Sequence, residues 1–154
     1  MEVFSHSTHN SNHHNHNHTI LLVDDEKDIL NLFCDCLQKF EYETIPFNNP
    51  TDALNYIYNS NISNCSLIIT DYKMPLMSGI DLIKKIREKD TTFKLKIILI
   101  SAFIKSNIMG NDISDGLRTD KIIEKPIHLE NLIEEVQKLM RNRLYILNNN
   151  FFIM

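Results

Sequence analysis

The sequence predicts an α/β fold: a five-stranded parallel sheet, doubly wound with helices on both faces. Short apolar runs alternate with amphipathic segments along the chain, which is typical of consecutive strand and helix units. The runs are almost continuously apolar, as expected for strands covered by helices on both faces. Polar or charged residues follow four of these runs directly, so the sequence also predicts a functional edge of the sheet.

The five predicted strands differ in strength. The most apolar runs precede Asp24, Asp71 and Ser101, and a shorter run precedes Lys125. The remaining strand is modest and ends before an Asn-Asn-Pro turn. The predicted strands are 19–23, 42–47, 66–70, 96–100 and 121–124.

Five helices are predicted from apolar residues that recur at three- and four-residue steps. The first ends at Phe40, the second covers about 51–58, and the third ends near Lys89. The fourth, within 103–119, is expected to be the weakest, because each of its two glycines costs about 1 kcal/mol relative to alanine. The last follows Pro126 and is predicted to end at about Arg143.

Composition limits the classes of function. The 154 residues suit a single domain, and 20 acidic against 16 basic residues give no electrostatic signature of nucleic-acid binding. No apolar run is long enough to span a membrane and no secretory signal is present, so we expect a cytoplasmic protein whose partners are proteins. The three cysteines, Cys34, Cys36 and Cys65, are expected to be free thiols.

The two ends of the chain differ from the middle. Residues 1–18 are rich in His, Asn and Ser and are expected to form a disordered arm. Its histidines can bind transition metals, although adventitious binding or a plain solvated arm are the simpler interpretations. Residues 144–154 form a short tail that is apolar for a solvated end. We expect it to pack on the domain or to mediate self-association, for example in a homodimer.

The polar strand ends are expected to meet, because parallel strands all end at the same edge of the sheet. Asp24, Asp25, Asp71, Ser101 and Lys125 would lie there. Carboxylates about 4 Å apart repel by roughly 4 kcal/mol per pair at an effective dielectric near 20. A hard cation such as Mg²⁺ relieves this repulsion and accepts oxygen ligands. Taken singly, Asp71 could be a turn residue and Asp24-Asp25 a helix cap.

In its motifs and their order, the segment 19–143 resembles the receiver domain of bacterial and archaeal response regulators. The resemblance implies a flavodoxin-like sheet with strand order 2-1-3-4-5. It also implies that Asp71 accepts a phosphoryl group from a sensor histidine kinase or a phosphotransfer protein. Mg²⁺ would be bound directly by Asp25, Asp71 and the backbone carbonyl of Lys73, and through water by Asp24. Ser101 and Lys125 would contact the phosphoryl group, with a cis bond between Lys125 and Pro126.

Two further positions follow from the resemblance. Receivers usually carry Tyr or Phe three residues before the lysine, as a switch partner of the hydroxyl residue, whereas this chain has Ile122. The usual aromatic switch is therefore in doubt. Lys73 and Phe103 occupy the positions that flank the path of the hydrolytic water, and the bulky Phe103 predicts a long-lived phosphorylated state.

The function expected from the sequence is that of a single-domain response regulator, not an enzyme. It would signal by protein contacts or as a phosphorelay step toward a downstream protein that the sequence does not identify. One alternative is a degenerate receiver that acts only in protein interaction or dimerisation. A less favoured alternative is a Mg²⁺-dependent hydrolase with Asp71 as nucleophile, because Asp71-Tyr72-Lys73 lacks a nearby second carboxylate.

Overall fold

A computed structural model of the protein describes residues 19–60, 65–92, 94–102 and 117–149, and the side chains of these as far as 141. Five parallel strands form one sheet in the order β2-β1-β3-β4-β5. The described ranges contain four helices. In chain order the elements are β1 Thr19–Val23, α1 Lys27–Gln38, β2 Glu43–Phe47, α2 Pro50–Asn59, β3 Cys65–Asp71, α3 Gly79–Lys89, β4 Lys96–Ser101, β5 Lys121–Glu124 and α4 Leu129–Asn149.

Helices cover both faces of the sheet, and the side chains of each strand alternate between them. On β1, Leu21 and Val23 pack with α2 and α3, whereas Ile20 and Leu22 pack with α1 and α4. Strand β3 is buried along its whole length. Burial of one such Ile or Leu side chain stabilises the fold by about 1.5–3 kcal/mol. The free energy of burying the continuous apolar runs therefore favours their place as central strands, covered by helices on both faces.

The predicted architecture and strand order are confirmed. Strand β2 begins at Glu43, one residue later than predicted, and α2 extends slightly beyond the predicted range at both ends. The predicted arm 1–18 and nearly all of the predicted helix 103–119 lie outside the described residues. Cys34, Cys36 and Cys65 are thiols rather than disulfide partners, in agreement with the expectation.

The predicted end of the last helix was wrong. Helix α4 continues past Arg143 to Asn149, so the segment predicted as a short tail begins inside a helix. No glycine or proline follows Arg143 to stop the helix, and Leu144 to Leu147 are compatible with it.

An ion-pair network fixes the end of the sheet opposite the polar strand ends. The Arg87 guanidinium donates hydrogen bonds to the Asp90 carboxylate at 2.9 Å and to the Arg118 carbonyl at 2.6 Å. Asp120 accepts from Lys96 at 2.9 Å. These contacts tie α3 to the residues that lead into β5, and they thereby set the position of that strand.

Candidate functional site

Asp71 is the last residue of the central strand β3, and its side chain is almost fully buried. One carboxylate oxygen, Oδ1, lies 2.8 Å from Lys125 Nζ. The other, Oδ2, accepts a hydrogen bond from the backbone N–H of Lys73 at 2.8 Å. Both carboxylate oxygens are thus oriented by cationic or polar donors at the edge where the parallel strands end.

The acidic pair, Asp24 and Asp25, directly follows β1, which lies next to β3 in the sheet. Asp24 is 3 % exposed, and its Oδ1 accepts a hydrogen bond from the backbone N–H of Glu26 at 2.9 Å. Its Oδ2 is buried without a hydrogen-bond partner among the described residues. Burial raises the pKa of Asp24 to about 6, and the charges of Asp71 and Asp25 act in the same direction against the Glu26 hydrogen bond and Lys125. Asp25 itself is exposed.

Ser101 and Lys125 come from the two strands on the other side of Asp71. Ser101 ends β4, is 1 % exposed and accepts a hydrogen bond at its carbonyl from the Lys125 backbone N–H at 2.9 Å. Lys125 directly follows β5, and its bond to Pro126 is cis. Burial opposes the charged form of Lys125, but the hydrogen bond and charge of Asp71, with further carboxylates nearby, outweigh it and raise the Lys125 pKa.

The loop of residues 72–78 carries the chain from Asp71 into α3, and its ends are held close together. The Gly79 backbone N–H donates to the Tyr72 carbonyl at 2.8 Å, and Ser78 caps the helix. A Cβ atom on Gly79 would overlap the carbonyl oxygen of Asp71 and lie 3.1 Å from Leu99 Cδ1. Position 79 therefore requires glycine because the backbone of Asp71 occupies the space of a side chain.

An open cleft of about 440 Å³ lies at this edge of the sheet. Its lining includes Asp25, Asp71, Lys73 and Lys125, together with Glu26, which the sequence did not single out. Glu26 also supplies the N–H that holds Asp24. The only sequence signal for this role was its place directly after the acidic pair.

The donor set suits a hard divalent cation such as Mg²⁺. The unpartnered Oδ2 of Asp24 and the exposed carboxylate of Asp25 are oxygen donors that could hold such an ion beside Asp71, directly or through water. In the described ranges, no group of three or more His, Cys, Asp or Glu side chains is arranged to hold a metal by itself. Mg²⁺ does not need such a group, because it binds through one or two carboxylates and keeps several waters.

The structure brings together the predicted residues Asp24, Asp71, Ser101 and Lys125 at one sheet edge. Ile122, the position usually held by an aromatic residue, is half-buried and packs against the core on the α2 and α3 face. Phe103 lies outside the described residues, so its role near the water path stays a prediction.

Comparison with known proteins decides the family. A model of the response regulator receiver domain matches residues 20–137. The chain belongs to this family. The receiver protein CpdR of Brucella abortus is 33% identical over 121 residues, which cover 79% of this chain and 95% of CpdR. The chemotaxis protein CheV1 of Helicobacter pylori is 30% identical, but the matched part covers only 39% of its length.

Solved structures agree with this assignment to the receiver family. The response regulator TrrA of Thermotoga maritima, solved in complex with Mg²⁺-BeF, is 33% identical with a TM-score of 0.67, over 79% of this chain and 98% of that one. The signal receiver domain of a LuxO repressor protein from Vibrio parahaemolyticus shares the fold, with 24% identity and a TM-score of 0.73 over 90% of this chain and 99% of that one. Receiver domains are signalling modules that interact with histidine kinases or phosphotransfer proteins. Among the described residues, no helix is both long and apolar enough to cross a membrane.

Proposed function

We propose that this receiver accepts a phosphoryl group on Asp71 from a phosphohistidine of a sensor kinase or phosphotransfer protein. An Asp71 carboxylate oxygen forms a bond to phosphorus while the phosphorus–nitrogen bond of the donor breaks. The imidazole nitrogen keeps the electron pair of that bond and takes a proton from solvent. The observation that carries the proposal is the pair of contacts that hold Asp71, one from Lys125 and one from the backbone of Lys73.

Positioning and charge are the main contributions expected from the protein, since phosphoryl transfer needs little covalent assistance. Lys125 has a raised pKa and remains cationic at neutral pH. Its ammonium group can therefore form an ion pair with the phosphoryl oxygens once the phosphoryl group is attached to Asp71. Ser101 offers a hydroxyl at the end of the adjacent strand β4. The Gly79 turn holds the Asp71 backbone in place while the side chain reacts.

We propose Mg²⁺ as the cofactor, held directly by Asp25, Asp71 and the Lys73 carbonyl, with Asp24 acting through water. When bound, the ion neutralises the phosphoryl oxygens and the carboxylate cluster. The buried, unpartnered Oδ2 of Asp24 supports this assignment, because an isolated buried carboxylate oxygen is costly unless a cation or donor compensates it.

The proposed role is that of a single-domain regulator that signals through protein contacts or a phosphorelay. The match that covers 95% of CpdR supports the single-domain form. Asp25, Asp71 and Lys125 line one cleft, and the buried Asp24 interacts electrostatically with all three. This arrangement supports phosphorylation over a purely structural role as a degenerate receiver.

The proposal is tested with phosphoramidate, a small donor with the phosphorus–nitrogen bond of phosphohistidine. In the presence of Mg²⁺, intact mass should increase by one phosphoryl group. Lys125→Met should slow labelling about 10- to 100-fold, the usual scale for loss of one positioned contact. Asp25→Asn should weaken the Mg²⁺ dependence, with Asp28→Asn in the first turn of α1 as the control. Labelling of Lys125→Met at the wild-type rate, or an unchanged Mg²⁺ dependence in Asp25→Asn, would reject the role assigned to that residue.

A further inference from the structure

The cleft beside Asp71 contains an acidic residue to which the phosphoryl chemistry gives no role. Asp71 accepts the phosphoryl group in the proposed reaction, and Asp25 is assigned to Mg²⁺. Glu26 lines the same cleft and is exposed. Its negative charge therefore lies at the mouth of the cleft, in addition to the charges that the acceptor and the ion site require.

The backbone of Glu26 is fixed, whereas its side chain does not serve the helix that follows. Its N–H donates to Asp24 Oδ1 at 2.9 Å, and its carbonyl accepts from the Leu30 N–H at 3.1 Å. Glu26 is the N-cap residue of α1, yet its side chain makes no capping hydrogen bond. Ser, Thr, Asp and Asn are the residues that usually cap a helix from this position. A glutamate there leaves the helix uncapped by its side chain and places a carboxylate at the cleft.

The charge of Glu26 acts on the groups that react. Burial lowers the pKa of Lys125, and the hydrogen bond and charge of Asp71 raise it; the charge of Glu26 acts in the same direction as Asp71. Lys125 Nζ lies 2.8 Å from Asp71 Oδ1. A charge that acts on Lys125 therefore also acts on a phosphodonor that is bound over Asp71.

The leaving group of the donor faces the mouth of the cleft. An in-line displacement places the leaving group on the side of phosphorus opposite to the attacking oxygen. Because Asp71 is almost fully buried, it attacks from the inner end of the cleft and the leaving group points outward. Lys73 is exposed there as well and carries the opposite charge, so the contribution of Glu26 is measured with Lys73 unchanged.

Phosphodonors differ in the charge of the group that leaves. When a phosphorus–nitrogen bond breaks, the nitrogen keeps the electron pair and is protonated, so it carries positive charge while it departs. When an acyl phosphate reacts, the phosphorus–oxygen bond breaks, and the carboxylate keeps the electron pair and leaves as an anion. A fixed negative charge beside the leaving group stabilises the first transition state and destabilises the second.

We propose that Glu26 determines the donor specificity of the Asp71 reaction. Its charge favours donors with a nitrogen leaving group, such as phosphohistidine, over acyl phosphates, such as acetyl phosphate. The inference rests on the proposed function, because it concerns which donor phosphorylates Asp71.

The test compares phosphoramidate with acetyl phosphate at saturating Mg²⁺ and low ionic strength. Second-order rates of phosphoryl addition are measured by intact mass, and the readout is the acetyl phosphate rate divided by the phosphoramidate rate. Glu26→Gln should raise this ratio about 3- to 10-fold, the scale for one unit charge several ångströms away at a solvent-exposed site. Glu26→Lys should raise it about 10- to 100-fold, since the charge is reversed.

The ratio separates the proposed role from indirect effects. Both donors transfer the same phosphoryl group to the same carboxylate, so a change in folding, Mg²⁺ binding or Lys125 alters both rates alike. The shift in Glu26→Gln should fall below about 2-fold in about 1 M NaCl, where charges are screened beyond about 3 Å.

Glu88→Gln is the matched control, since it removes the same charge from an exposed glutamate about 14 Å along α3 from Gly79. Its ratio should equal that of the wild type. An unchanged ratio in Glu26→Gln, or a shift that persists in concentrated salt, would overturn the inference and leave the proposed function intact. If neither donor labels the wild type, the proposed function fails and the inference fails with it.

Discussion

Gly79→Ala tests whether the turn after β3 positions Asp71. The new methyl group would overlap the Asp71 carbonyl oxygen and crowd Leu99, so the turn must shift. Overpacking of this kind costs about 1–3 kcal/mol, and weakening the Gly79 hydrogen bond to Tyr72 costs about 1 kcal/mol more. Alanine in a helix returns up to about 1 kcal/mol. The net loss should be about 1–3 kcal/mol in urea unfolding.

The effect on chemistry separates this role from simple destabilisation. Displacing Asp71 from Lys125 should slow phosphoramidate labelling about 10- to 100-fold. Val136→Ala is the comparison, because Val136 is fully buried in α4 and its truncation should cost a similar free energy, about 2 kcal/mol, without moving the site. If Gly79→Ala is destabilised as expected but labels at the rate of Val136→Ala, the turn does not position Asp71.

Three other predictions concern the strain, charge and lifetime of the site. Leu76 has φ 70° and is 95% exposed, so Leu76→Gly should raise the free energy of unfolding by about 0.5–1 kcal/mol; a decrease would contradict the strain. Because the pKa of Asp24 is raised from 3.8 to about 6, its ionisation in the folded state costs stability. This loss grows as the pH rises from about 3.8 to about 6. In urea unfolding without Mg²⁺, Asp24→Asn should therefore gain about 1–3 kcal/mol near pH 7 and almost nothing near pH 3.5, whereas equal gains would exclude this cause. Phe103→Ala should speed loss of the phosphoryl group about 10- to 100-fold in a single-turnover assay, and an unchanged rate would favour a packing role for Phe103.

Local sequence pattern was sufficient for the strands and for the side chains that follow them. The apolar run before Asp71 is short and is followed by proline and glycine, as expected of a buried central strand, and parallel strands end at one edge of the sheet. The strand order came from the resemblance alone, because periodicity does not record which strands are neighbours.

Other features depend on contacts between residues distant in sequence. The requirement for Gly79 becomes visible only when the Asp71 carbonyl is seen against it. The link from Arg87 to Asp120 spans two elements and has no local pattern. The helical continuation past Arg143 was missed because the apolar residues there were interpreted by composition rather than by helical spacing.

Chemical trapping of the acyl phosphate tests the central proposal most directly. After labelling with phosphoramidate and Mg²⁺, borohydride reduction converts a phosphorylated aspartate to homoserine, which peptide mass spectrometry locates. Homoserine at position 71 in the wild type, and nowhere in Asp71→Asn, is the predicted result. Homoserine at position 24 or 25, or equal labelling of Asp71→Asn, would contradict the assignment of Asp71 as the phosphoryl acceptor.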